Sequence, residues 1–101
     1  MEKVVEMSRV VLPDGEEFDL EYFLVTQEPK ERVRAYGIGI QKLGRKLTAE
    51  SGSVLPEREV VEKLTESEEK AMDWIARLAR NQVTPISLVE VLDELVTKEG
   101  I

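Results

Sequence analysis

VVEMSRVVLPDGEEFDLEYFLVT, residues 4–26, holds two β-rich runs, Val4 to Leu12 and Glu17 to Thr26, either side of Leu12-Pro13-Asp14-Gly15-Glu16. Pro presets φ, the Asp side chain caps the turn locally, and Gly takes positive φ, so the segment reads as a β-hairpin. Placing Leu12 opposite Glu16 sets Val10 across from Phe18, Ser8 from Leu20, Glu6 from Tyr22 and Val4 from Leu24. That face is expected to be core. The alternate face carries Val5, Met7, Arg9 and Val11 against Phe23, Glu21, Asp19 and Glu17, with Arg9 and Asp19 as a favourable cross-strand pair.

The same period continues downstream. A third strand is expected from Val33 to about Leu43, with Tyr36, Ile38 and Ile40 on one side and Ala35, Gly37 and Gly39 on the other. Two glycines within a strand mark a bulge, a bend or close approach by another backbone. Arg58 to Leu64, bounded by Pro56 and Thr65, reads as a fourth strand.

Beyond it the period becomes helical. Thr65-Glu66-Ser67-Glu68 has a capping-box pattern, and Ala71, Met72, Ile75, Leu78 and Ala79 recur at helical spacing, with Trp74 at the edge of the stripe. This helix should end near Asn81. Thr84-Pro85 offers an N-cap with Pro at the first helical position. Leu88, Val89, Leu92, Leu95 and Val96 then supply a stripe, and Lys98 and Gly100 a stop. The expected fold is α+β: a four-stranded antiparallel meander followed by an antiparallel helix pair packed on one face, within one domain spanning residues 1–101.

Composition narrows the function. The 101 residues are 42% hydrophobic and 35% charged, enough apolar material for a core and too much for a disordered tail. Neither Cys nor His occurs, which removes disulfides, thiolate nucleophiles, Cys/His zinc sites and imidazole bases. No catalytic residue, cofactor site or metal site is assigned, and a non-enzymatic chain is expected. No run approaches the roughly 18 apolar residues of a membrane span, and Met1 to Glu6 lacks an apolar leader core, so a cytoplasmic protein is expected. Glu makes up 17 of 21 acidic residues while Asn and Gln total four, a composition that leans towards thermophiles.

Charge is unevenly placed: residues 1–29 carry −6, residues 30–46 carry +5 and residues 47–101 carry −6. The basic stretch comprises Lys30, Arg32, Arg34, Lys42, Arg45 and Lys46. It could contact an anion or nucleic acid, yet cross-strand pairing with acidic neighbours accounts for the same residues at about 0.2 to 1 kcal/mol per pair. With a net charge of −7, nucleic acid is the weaker expectation. Gly39 to Lys46 lacks the Lys-Ser/Thr pair of a phosphate loop, since Arg45 and Lys46 follow Gly44. Glu90, Asp93 and Glu94, and likewise Glu66, Glu69 and Asp73, share helical faces on which one or two carboxylates could hold magnesium. Acids opposite an apolar stripe are equally what a surface helix carries.

Tyr36-Gly37-Ile38-Gly39-Ile40, Asn81 to Leu88, and Val91-Leu92-Asp93-Glu94 together resemble a family of small uncharacterised proteins from spore-forming Gram-positive bacteria, over about residues 4–96. The resemblance implies the architecture and brings no activity, substrate or cofactor. The favoured expectation is therefore a protein-interaction module, most simply a homodimer. Its interface would be the sheet surface the helices leave open, with Val5, Met7, Val11, Phe23, Val33 and Ala35 as its apolar residues.

Overall fold

The computed structural model describes residues 1–27, 34–44 and 57–99. Four strands, β1 (Glu2–Val11), β2 (Glu17–Gln27), β3 (Ala35–Gly44) and β4 (Glu57–Thr65), precede helix α1 (Glu68–Arg80), a 3-10 turn (Pro85–Ser87) and helix α2 (Leu88–Glu99). The strands form one antiparallel sheet in the order β1-β2-β3-β4, a meander as the sequence predicts.

The β1-β2 turn is built by the residues that announce it. Gly15 sits at φ 89°, its amide donates to the Leu12 carbonyl at 2.9 Å, and the Glu16 amide donates to Asp14 Oδ1 at 2.9 Å. Below this turn the expected register holds through Val10 and Phe18, Arg9 and Asp19, Ser8 and Leu20, to Glu6 and Tyr22. It then shifts, because Val5 forms a β-bulge and Val4, rather than Val5, lies opposite Phe23. The expected Val4-Leu24 pair is replaced by Lys3-Leu24. Through the bulge Val5 turns to pack half-buried against the core, while Val4 moves to the open face.

Gly37 and Gly39 of β3 are required by close approach. β4 bulges opposite Gly37, where three residues intervene between Val61 and Thr65, and Lys63 in the bulge takes φ 52°. A Cβ on Gly37 would overlap the Val61 carbonyl oxygen, and one on Gly39 would overlap the Phe23 ring. The sheet therefore folds an aromatic ring onto one glycine and a neighbouring backbone onto the other.

Leu20, Tyr22, Leu24, Tyr36, Ile38 and Ile40 line the inner face and join Ala71, Trp74, Ile75 and Leu78 of α1 in one core. Phe18, also expected there, is half-buried at its margin. Trp74, read from sequence as the edge of the helical stripe, is fully buried at its centre. Leu88 and Leu92 of α2 complete the same core, whereas Met72 and Val89, counted in the stripes, point outward at 37% and 55% exposure.

Helix ends follow local chemistry. Ser67, not Thr65, is the N-cap of α1, its Oγ accepting from the Lys70 amide at 3.2 Å, while Thr65 Oγ1 accepts from the Ser67 amide. The C-terminus is a Schellman motif: the Val83 amide donates to the Leu78 carbonyl and the Gln82 amide to the Ala79 carbonyl, with Gln82 at φ 50°. Pro85 opens a 3-10 turn rather than α2 itself, which begins at Leu88.

Candidate functional site

The outer face of the sheet divides into a closed centre and an open margin. At the centre Phe23 is only 3% exposed. Its ring rests where Gly39 has no side chain, and the Arg58 guanidinium of β4 stands 4.6 Å from the ring centroid. Arg58 is itself held from two sides, donating to Gln41 Oε1 at 3.0 Å and to the Glu2 carboxylate. An aromatic ring, a cation and an amide thus seal the part of this face where Phe23 was expected to lie open. Val25 is buried beside it, and Gln27 Nε2 donates to Glu62 Oε2 at 2.8 Å, linking β2 to β4.

The open margin lies along β1. Val4, Met7 and Val11 are 49%, 61% and 60% exposed, and Leu12 in the turn adds to the row. Arg9 pairs with Asp19 at 3.3 Å between Met7 and Val11. Because β1 heads the strand order, its outward amides and carbonyls have no ladder partner among the described strands.

Of the six residues expected at an interface, Met7 and Val11 are exposed on this margin. Val5 is turned into the core margin, Phe23 is buried, and Ala35 is half-buried at the start of β3. Val33 lies outside the described residues. Of the basic stretch, Lys30, Arg32, Arg45 and Lys46 also lie outside them. Arg34 precedes β3 and Lys42 lies near its far end, eight residues on and so roughly 26 Å away along an extended strand. Lys42 is engaged over the Phe18 ring at 4.5 Å. The two described cations therefore do not converge.

The carboxylates stay dispersed. Asp73 pairs with Arg77 at 3.0 Å, and no three acidic side chains among the described residues are grouped to hold a metal ion. No helix among them is long and apolar enough to cross a membrane.

One buried polar contact ties the sheet to the helices. Tyr22 Oη donates to the Val83 carbonyl at 3.0 Å, inside the Schellman loop. Burial pushes the Tyr22 phenol up from 10.0 to about 12.

Sequence reasoning missed a second exposed apolar row, at the other side of the fold. Ile86 is 81% exposed and Val89 55%, and beside them β4 and α2 form a groove lined by Val61, Leu64, Val89, Leu92, Asp93 and Val96. The sequence groups Val89 and Val96 in one core stripe with Leu88, Leu92 and Leu95, but at helical spacing they lie on its flank, and there they line the groove together with Leu92.

A family model described as a family of unknown function (DUF6514) matches residues 1–98. No curated protein and no solved structure matches the chain.

Proposed function

Since the chain belongs to the DUF6514 family of unknown function, we propose from its own surface that it is a non-enzymatic protein-interaction module, self-associating by pairing β1 with β1 of a second copy. The observation that carries this reading is the ten-residue edge strand β1, which has no strand beyond it among the described residues; Gln82 Nε2 donates to the outward Arg9 carbonyl at 3.4 Å, a contact that a partner strand would replace. Unpaired edges are templates for strand addition unless they are short, bulged, prolyl or charged. β1 is long and holds no proline, and its bulge at Val5 leaves Glu6 to Val11 in regular register.

Charge favours the same surface. Within a chain of net −7, β1 carries two acids, Glu2 and Glu6, and two bases, Lys3 and Arg9, so it is locally neutral. A second copy can approach along this strand without the repulsion that the acidic β2 and α2 would impose. Antiparallel pairing about a twofold axis would join two four-stranded sheets and set the Val4, Met7 and Val11 rows of both copies side by side. The cysteine-free composition fits a cytoplasmic setting for such a dimer.

Amide hydrogen exchange at two protein concentrations tests the proposal. The expected result is that alternate amides of Glu6 to Val11 gain protection as concentration rises, while β4 is unchanged. Protection in β1 that is independent of concentration overturns it.

A further inference from the structure

The groove between β4 and α2 is independent of the β1 edge and points to a different partner. It holds about 220 Å³. Pockets for small-molecule ligands run from roughly 300 to 1,000 Å³, so this groove is better matched to an inserted side chain than to a cofactor. Its lining is aliphatic, from Val61 and Leu64 on β4 and Val89, Leu92 and Val96 on α2, and it is interrupted by one carboxylate, Asp93.

Asp93 has no ion-pair partner among the described residues, and Glu90 and Glu94 stand exposed beside it. α2 carries four acids, Glu90, Asp93, Glu94 and Glu99, against Lys98 alone. A second copy presenting the same helix would bring like charges together, which disfavours self-docking here. We infer that this groove seats an aliphatic side chain from an amphipathic segment of another protein, with a Lys or Arg of that segment meeting Asp93. An aliphatic anchor fills the groove, and Asp93 together with the acidic balance of α2 selects a basic partner, as in helix-in-groove recognition.

A synthetic amphipathic peptide of about 14 Leu and Lys residues, long enough to form a helix on binding, is a suitable probe. In an amide NMR titration of the full chain, shifts are expected to concentrate at Val61, Leu64, Val89, Asp93 and Val96. A Ser/Lys peptide of equal charge should bind at least about tenfold more weakly, because the anchors supply most of the affinity. Val89→Asp should abolish the shifts, and Asp93→Asn should weaken binding by about fivefold or more. Equal binding of the Ser/Lys peptide, or shifts centred on Glu17 to Glu21 instead, would overturn the inference. Shifts of the groove residues on concentrating the chain without peptide would also overturn it, assigning the groove to a second copy. None of these outcomes depends on whether β1 self-pairs.

Discussion

Tyr22 shows how one side chain joins the two halves of the fold. Its hydroxyl satisfies the Val83 carbonyl from within the core, so Tyr22→Phe leaves a buried acceptor unpaired. The expected cost is about 1 to 3 kcal/mol, measured by urea unfolding followed through the single Trp74. The phenol titrates near 12 in the folded chain and near 10 when unfolded, so unfolding releases its proton between these values. Its contribution is therefore complete below pH 10 and is lost as pH rises towards 12. The stability difference between the native chain and Tyr22→Phe should shrink across that window. Phe23 is the converse case: sequence placed it on an open face, yet Gly39 and Arg58 enclose it. Nothing local to Phe23 reveals this, because its cover comes from strands that follow it by many residues. Gly39→Ala should cost about 1 to 3 kcal/mol through overlap with the ring, a loss that Phe23→Leu should partly relieve.

At the scale of elements, the hairpin register was legible because Pro13-Asp14-Gly15 specifies the turn and strict alternation specifies the face. The Val5 bulge was not legible, since Val4 and Val5 are adjacent and equally apolar, and either can supply the inward side chain. α1 was legible for its stripe and illegible at its start, where Thr65 and Ser67 compete as caps and geometry selects Ser67. Ser67→Ala is expected to cost about 0.5 to 2 kcal/mol in the same unfolding assay. Leu92→Ala should cost about 2 to 5 kcal/mol, as Leu92 is 2% exposed in the shared core. A loss below about 1 kcal/mol would place α2 off the sheet. The interface expectation was legible only in part: Met7 and Val11 follow from the hairpin alternation, whereas Val4 reaches the same margin through the bulge.

Across the whole molecule, the two exposed apolar surfaces differ in the charge that accompanies them. β1 carries equal numbers of acids and bases beside exposed Val4, Met7 and Val11, while the aliphatic β4-α2 groove is lined by one carboxylate, Asp93. Each copy carries −7, so long-range repulsion opposes dimerisation and screening relieves it. Self-association is accordingly expected to strengthen as salt rises from about 20 to 200 mM, the opposite of a contact driven by ion pairs. Light scattering coupled to gel filtration, on the native chain at tens of micromolar and on Met7→Lys/Val11→Lys, tests the β1 pairing most directly. A native mass of twice the 11.5 kDa chain, falling to the monomer in the variant with unchanged circular dichroism, is the predicted result. A monomeric native chain, or a dimer that survives both lysines, would contradict it.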